Sequence, residues 1–262
     1  MIRQAYWSMC RAWRRWRRPT DVVLSPHDWV DGLLRHCAPE RRDLVVVDGG
    51  AHDGAWAQAL SRRLSGRFDR VCVHTFEPNR DLIPALHRRL ASVPGTRNIA
   101  ALAARPATLT MNINDSPMTS SLLPRGAAAE RYFAHATALR EARTVEAVAL
   151  DDWAARAGVD RIDLLKLDLQ GYELEALLGA RRLLRATAAV LVEVSFVPLY
   201  AGGATFGDVD GFLRAHGFKL YNLYHLSTKT CDGQLNGGDA LYVRDPAAAV
   251  HHPTRRMREI AA

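Results

Sequence analysis

The sequence has few cysteines, few lysines and no long hydrophobic run. Its four cysteines lie far apart, without a CxxC pair or the Cys/His spacing of a zinc site, which excludes a disulfide-stapled scaffold and predicts free thiols in a reducing compartment. No apolar stretch approaches the roughly 20 residues that a transmembrane helix needs. The first residues also lack the continuous apolar segment of a signal peptide. We therefore expect a soluble, cytoplasmic protein.

The composition is that of a globular domain, but the charge is unevenly distributed. The 262 residues are 48% hydrophobic and 24% charged, which suits one domain with short extensions. The formal net charge is +7, and residues 1–20 hold six arginines and no acidic residue. The rest of the chain is nearly neutral, so it lacks the broad basic face that binds many phosphates. We expect no nucleic-acid partner.

Residues 1–20 form a basic arm with its own pattern. Apolar residues recur there at spacings of three and four, which predicts an amphipathic helix surrounded by arginines. Tryptophan and arginine together suit a membrane interface, so residues 1–19 are a candidate for peripheral contact with the inner face of the membrane. Docking on the protein's own domain or on a partner protein is the alternative. The sequence divides into this arm, a domain over 21–245 and a flexible tail over 246–262.

After the arm, short β-rich segments alternate with helical ones. This order predicts an α/β domain with a parallel sheet covered by helices on both faces. Residues 108–114 predict an extra strand, and residues 115–125 a loop that overhangs the sheet. The predicted strands of the sheet are Leu44–Asp48, Arg70–Phe76, Arg97–Ala101, Ile162–Asp168, Ala188–Val194, Phe218–Tyr224 and Ala240–Arg244. The predicted helices are Gly54–Leu64, Asp81–Ala91, Tyr172–Leu184 and Phe206–His216.

The first motif is the segment VVVDGGAHDG at residues 45–54, a buried strand followed by a glycine turn and a helix. Glycines let the backbone approach a ligand closely, and the helix N-terminus offers free N–H donors, so the segment predicts a nucleotide-type cofactor loop. Dinucleotide-binding loops read G-x-G-x-x-G. Here the pattern is D-x-G-x-x-x-G, with His52 where a middle glycine would stand. Pyrophosphate binding, and with it a nicotinamide-dependent dehydrogenase, is disfavoured.

The second motif is HTFEPN at residues 74–79, at the end of the next predicted strand. An acid at that position, here Glu77, can accept hydrogen bonds from both hydroxyls of a ribose. Pro78 ends the strand and Asn79 can cap the following helix. The alternative interpretation is an ordinary strand, turn and helix with a surface glutamate.

The third motif, LLKLDLQGYELEALLGA at residues 164–180, completes a set that resembles a known family. Together with the glycine loop, FEPN at 76–79 and DALYVR at 239–244, it resembles the FkbM family of S-adenosylmethionine-dependent methyltransferases. The resemblance runs from about residue 44 to residue 244, with the motifs in the family's order, and includes Ser120-Ser121-Leu122 and residues 144–153. His52 stands where the family often has asparagine, and the first 40 residues have no recognised counterpart.

The resemblance implies a Rossmann-like class I methyltransferase fold with S-adenosylmethionine as cofactor. Its sheet has seven mostly parallel strands in the order 3-2-1-4-5-7-6, the last antiparallel, and ligands gather beyond the carboxyl ends of the strands. The glycine loop would line the methionine and ribose of the cofactor, an acid would hold the ribose hydroxyls, and the end of the third strand would lie near the adenine. The implied residues are, in that order, Asp48, Gly50, Ala51, Glu77, Ala100 and Ala101.

The family's usual reaction is methylation of a hydroxyl on sugars or polyketide-type natural products. An alcohol is a weak nucleophile, so its alignment and the removal of its proton are the main tasks. Asp168, at the end of the fourth strand, is the first candidate for that role. Lys166 points to the same side and can pair with Asp168, either in catalysis or as a structural ion pair. His225, after the sixth strand, is the histidine best placed to act as a base.

Other chemistries receive less support from the sequence. Glu173, Glu193, Asn222 and His225 follow strand ends and can be combined into a Mg²⁺ or Mn²⁺ site, but metal is not favoured and no metal ligand is assigned. Enzymes of this fold that methylate amines often carry D/N-P-P-Y/F, which this chain replaces with DLQG at 168–171. The alternative of another class is a non-catalytic or membrane-tethered binding protein. The expected acceptor is a small molecule, a glycan or a lipid-linked compound.

Overall fold

The computed structural model describes residues 42–228 and 233–245, together with Val30 and Leu33. The predicted amphipathic arm over residues 1–20 and the predicted tail over 246–262 lie outside the described residues. Among the residues described, no helix is long and apolar enough to cross a membrane.

Strands and helices alternate over most of the chain, but three strands follow one another between residues 97 and 114, and the helices at 127–133 and 150–157 were not predicted. In chain order the strands are β1 (Asp43–Gly49), β2 (Arg70–Phe76), β3 (Arg97–Asn98), β4 (Ala101–Leu102), β5 (Ala107–Asn114), β6 (Leu139–Val148), β7 (Ile162–Leu167), β8 (Thr187–Ser195), β9 (Phe218–Ser227) and β10 (Gly237–Arg244). The α-helices are α1 (Ala55–Leu64), α2 (Ile83–Arg89), α3 (Ala127–Phe133), α4 (Leu150–Ala157), α5 (Glu173–Leu178) and α6 (Phe206–Ala215).

Seven strands form the main sheet, in the order β3-β2-β1-β7-β8-β10-β9. Counted among themselves in chain order, these strands read 3-2-1-4-5-7-6. Strand β10 is antiparallel to both of its neighbours, and the other pairings are parallel. The predicted class I methyltransferase sheet is therefore confirmed.

The two central strands, β1 and β7, are apolar on both faces because helices cover both sides of the sheet. Val46 lies opposite Leu164, and both side chains pack in the core on one face. Val47 lies opposite Leu165, and both pack in the core on the other face. The alternation follows from the two-residue period of a strand. Because β1 and β7 pair in parallel, their carboxyl ends lie side by side.

A second sheet, in the order β4-β6-β5, corrects the predicted third strand. Residues 97–101 were predicted as one strand, but only Arg97 and Asn98 pair with β2. The chain then leaves the main sheet, and Ala101 pairs with Ala147 of β6. Strand β6 was not predicted, because its first half is mostly exposed and charged and lacks the apolar alternation that marks a strand. Ala101 thus belongs to the second sheet rather than to the end of strand 3.

Gly179 joins the second sheet to the main domain. A Cβ atom at this position would lie 2.1 Å from the carbonyl oxygen of Ala103, just after β4. The carbonyl oxygen of Gly179 also accepts a hydrogen bond of 2.8 Å from the backbone N–H of Asp151 in α4. This close approach of backbones accompanies a second correction, since the helix predicted over residues 172–184 ends at Leu178.

We expect Gly179→Ala to destabilise the protein, because a backbone oxygen cannot move away as a side chain can. The expected loss is about 1–3 kcal/mol of unfolding free energy, measured by thermal or urea unfolding. Gly211→Ala is the matched control, since nothing lies within 4 Å of the Cβ that it adds in α6. Alanine favours a helix interior over glycine, so this control is expected to be neutral or stabilising. Equal stability of the two variants would contradict the account.

Candidate active site

A cavity of about 350 Å³ opens at the carboxyl ends of β1, β2 and β7. Its wall includes the glycine turn after β1, Glu77 after β2 and the residues that follow β7. Residues 117, 118 and 120–122, from the loop predicted to overhang the sheet, line it as well. The cavity therefore lies where the crevice of an open α/β sheet binds its ligands.

Gly50 allows the turn after β1 to lie directly against the chain after β7. Its φ is +73°, and a Cβ there would fall 1.9 Å from the carbonyl oxygen of Asp168. The backbone N–H groups of Gly50 and Ala51 both donate to the carbonyl oxygen of Phe76, at 3.0 and 3.1 Å. Only glycine fits such a position. The turn after β1 therefore lies against both the end of β2 and the chain after β7.

Glu77 lines the cavity with a carboxylate that two backbone segments hold in place. Its Oε2 accepts from the N–H of His52 at 2.9 Å, and its Oε1 accepts from the N–H of Asn79 at 2.7 Å. Burial raises the pKa of Glu77, and the two N–H donors oppose that rise. The carboxylate is therefore oriented before any ligand arrives.

Lys166 is a buried cation between two carboxylates. Its Nζ lies 3.1 Å from Oδ1 of Asp48 and 3.7 Å from Oδ2 of Asp168, and it donates to the carbonyl oxygen of Gly50 at 3.0 Å. Burial alone lowers the pKa of Lys166, but the Asp48 and Asp168 carboxylates outweigh burial and hold the pKa above its usual value. The expected contact with Asp168 is present, and the contact with Asp48 is shorter.

Asp48 does not lie where the resemblance placed it. It is fully buried and is not among the residues that line the cavity. Asp48 and Lys166 are directly opposite in the register of β1 and β7, so the carboxylate faces the ammonium group. Burial raises the pKa of Asp48, and Lys166 opposes the rise. Asp48 therefore contacts Lys166, and Lys166 is part of the cavity wall.

Asp168 is joined to a second cavity-lining acid, Glu193, by the side chain of Gln170. Nε2 of Gln170 donates to Oδ1 of Asp168 and to Oε2 of Glu193, each at 2.8 Å. Burial raises the pKa of Glu193 well above its usual value, and the neighbouring carboxylates of Asp168 and Glu173 raise it further. Asp168 and Glu193 therefore line one side of the cavity together.

His225 is outside the cavity wall. Its Nδ1 lies 2.6 Å from Oδ2 of Asp239, its side chain is half exposed, and its φ is +48°. The structure therefore pairs the candidate base with a carboxylate but does not bring it to Asp168 in the cavity. Asp239 lies opposite Glu193 in the register of β10 and β8, which places the pair one strand away from the acids.

The other predicted cofactor residues line the cavity, and so do several that the sequence did not single out. Gly50, Ala51, Ala100 and Ala101 are in its wall, as are Trp56, Met111 and Met118. Gln170 was part of a quoted motif but had no assigned role. Tyr200, whose hydroxyl lies 2.8 Å from Oε1 of Gln170, is 30 residues away in the chain and had no local signal. In the part of the chain that the structure covers, no group of three or more His, Cys, Asp or Glu is arranged to hold a metal.

Comparison with known proteins decides the family. The family model described as the methyltransferase FkbM domain matches residues 48–220. The chain belongs to the FkbM methyltransferase family. A curated relative, the 2-O-methyltransferase NoeI of Sinorhizobium fredii (strain NBRC 101917 / NGR234), is 26% identical over 195 residues, which cover 71% of this chain and 75% of the relative.

Solved structures similar to this FkbM-family protein are more distant. The methyltransferase FkbM of Methylobacillus flagellatus KT has a TM-score of 0.48 and 18% identity, over 78% of this chain and 44% of that one. This chain therefore spans less than half the length of that protein. A class I methyltransferase of Listeria monocytogenes, described as putative, has a TM-score of 0.44 and 15% identity, over 87% of this chain and 61% of that one.

The residues of the cavity fit S-adenosylmethionine, the cofactor that the family implies. Gly50 leaves the wall open where any side chain would collide with the backbone. His52 also lines the cavity, and its buried Nε2 has no hydrogen-bond partner among the described residues. Glu77 offers an oriented carboxylate to a ribose, and the FkbM-family glycine turn offers backbone close to the ligand.

We expect the buried side chain of Glu173 to make the stability depend on pH. Its Oε1 accepts hydrogen bonds from the N–H groups of Leu169 and Gly171. Burial raises its pKa from 4.5 to about 7. Between these values the native state binds more protons than the unfolded state, so stability falls as pH rises through about 7. The loss is on the order of 3 kcal/mol. We expect Glu173→Gln, which keeps an oxygen at that position and does not ionise, to make the dependence shallower in unfolding measurements from pH 4 to 8.

Glu130→Gln is the control for this experiment, because Glu130 is exposed. It is expected to keep the slope of the native protein. An unchanged slope in Glu173→Gln would show that Glu173 is not the group responsible.

Proposed function

We propose that this protein is an S-adenosylmethionine-dependent O-methyltransferase that acts on a hydroxyl of a sugar, a glycolipid or a polyketide-type secondary metabolite. The observation that carries the proposal is the Asp168 carboxylate in the cavity wall at the end of β7, beside the ammonium of Lys166. A hydroxyl must lose its proton during methylation, and this carboxylate is a suitable acceptor. The similarity to NoeI, a 2-O-methyltransferase, supports the same reaction class.

The chain's own residues divide the work between holding the cofactor and preparing the acceptor. When bound, S-adenosylmethionine would supply an electron-poor methyl group for the acceptor oxygen, with its sulfur as the leaving group. Glu77 would hold the ribose hydroxyls, and the turn at Gly50 and Ala51 would hold the methionine part. Asp168 accepts the proton of the hydroxyl, with the ammonium of Lys166 at 3.7 Å from its Oδ2. Alignment of the acceptor oxygen supplies most of the remaining acceleration.

An acceptor attached to a lipid is compatible with this proposal. That choice depends on the basic arm over residues 1–19, which lies outside the described residues. We propose a cytoplasmic location for the enzyme, with a small-molecule, glycan or lipid-linked acceptor.

Glu77→Gln is expected to weaken binding of S-adenosylhomocysteine at least tenfold, because the amide cannot accept from both ribose hydroxyls and both backbone donors. The native protein is expected to bind in the micromolar range, about −8 kcal/mol, in a calorimetric titration. Glu146→Gln, at an exposed position in β6, is the control and is expected to bind like the native protein. A native protein that is folded but binds no S-adenosylhomocysteine would instead favour a non-catalytic binding protein.

Asp168→Asn is expected to lower turnover by about 10²–10⁴-fold, the usual contribution of general base catalysis. Its affinity for S-adenosylhomocysteine is expected to stay within about threefold of the native value, since the cofactor contacts lie elsewhere in the cavity. Turnover is measured by transfer of labelled methyl to a panel of glycan and polyketide acceptors. Asp152→Asn, at an exposed position in α4, is the control. Native turnover in Asp168→Asn would remove Asp168 from the mechanism.

A further inference from the structure

Gln170 adopts a backbone conformation that is unusual for its residue type. Its φ is +56°, in the left-handed region that side chains other than glycine, asparagine and aspartate seldom adopt. Its carbonyl oxygen accepts a hydrogen bond of 2.8 Å from Oγ of Ser121, in the loop that lines the cavity. Such conformations persist where surrounding contacts enforce them, and they cluster at functional sites. The contacts of the Gln170 side chain indicate the role of this conformation.

The side-chain amide of Gln170 lies between two acids and a tyrosine hydroxyl. Its nitrogen lies 2.8 Å from both Asp168 and Glu193, and its oxygen lies 2.8 Å from the hydroxyl of Tyr200. A carboxylate only accepts hydrogen bonds, so the NH₂ group faces Asp168 and Glu193. The Tyr200 hydroxyl lies 2.8 Å from both the amide oxygen and the carbonyl oxygen of Thr119. Both N–H bonds of the amide are thereby used, one for each carboxyl group.

Two carboxyl groups side by side repel each other when both are ionised. Burial raises the pKa of Glu193 well above its usual value, and the carboxylate of Asp168 raises it further, which favours the protonated form of Glu193. The amide bridge keeps the two groups together in this state without adding charge of its own. The other ionisable groups that influence this pair are Lys166, Glu173, Tyr200 and Asp239.

We propose that Gln170 is a positioning residue that holds Asp168 and Glu193 together as a two-carboxyl clamp on the acceptor hydroxyl. The proposal rests on the proposed O-methyl transfer and adds Glu193 as a second residue in contact with the acceptor. Asp168 takes the hydroxyl proton as the oxygen–methyl bond forms, and Glu193 hydrogen-bonds to the acceptor and keeps its own proton. Asp168 returns the proton it gained to water after the product leaves. All three side chains line the same cavity.

Gln170→Asn separates the bridge from the backbone. Asparagine tolerates the left-handed region better than glutamine does, but its side chain is one methylene shorter and cannot reach both acids. We expect turnover to fall about ten- to a hundredfold, as for hydrogen bonds to charged groups, with the affinity for S-adenosylhomocysteine within about threefold of native. Gln170→Glu, which keeps the length but has no N–H donor, is expected to lose at least as much. Gln234→Asn, at an exposed position, is the control.

The pH dependence distinguishes positioning from a merely structural role. Loss of the N–H donors disfavours the charged carboxylates, so the acid limb of the turnover profile is expected to shift to higher pH in Gln170→Asn and Gln170→Glu. A carboxyl-carbon NMR titration of the protein bound to S-adenosylhomocysteine, which needs no acceptor, is expected to show an upward shift for Glu193 in both variants.

The outcomes separate this proposal from the proposed function. Methyl transfer by the native protein with native turnover and an unshifted profile in both Gln170 variants would overturn the clamp alone. A further outcome is an NMR titration that shifts in the Gln170 variants while the native protein transfers methyl groups to no hydroxyl. That result would overturn the proposed function and leave the bridge as a structural contact. Reduced turnover together with the shift supports the clamp.

Discussion

The buried ammonium of Lys166 links the core of the sheet to the chemistry at its edge. It meets Asp48 across the central strand pair, lies 3.7 Å from Asp168 at the end of its own strand, and donates to the carbonyl oxygen of Gly50. Removal of one partner of a buried ion pair commonly costs 3–5 kcal/mol, because the remaining charge is left uncompensated. The glycine turn, the central strand pair and the proposed base are therefore all in contact with one side chain.

The main sheet was predictable because its central strands are continuous apolar runs, each followed by a turn. Residues 70–76 form β2 with the predicted bounds. Strand β6 escaped prediction because most of its side chains are exposed and only Val145 and Ala147 are buried. The division of the predicted strand at residues 97–101 also has no local signal, since it depends on a pairing between Ala101 and Ala147 across the chain.

The site shows the same difference between features that the local sequence signals and contacts that form only in the fold. Gly50, Glu77 and Asp168 could be expected near one another because each lies at or just after a strand end, and parallel strands bring their carboxyl ends to one edge. The register of β1 and β7 turns Asp48 toward Lys166, which strand-end position alone does not reveal. His225 sits at a positive φ in β9 and pairs with Asp239, so its direction could not be inferred from its place after the sixth predicted strand.

The most direct test of the account is the position of the transferred methyl group. The native protein is incubated with S-adenosylmethionine labelled with ¹³C at the methyl carbon and with hydroxyl-bearing glycan and polyketide acceptors, and the product is examined by carbon NMR. The account predicts a methoxy carbon bonded to an oxygen of the acceptor. A label on nitrogen or carbon, or no transfer by a protein that binds S-adenosylhomocysteine, would contradict it.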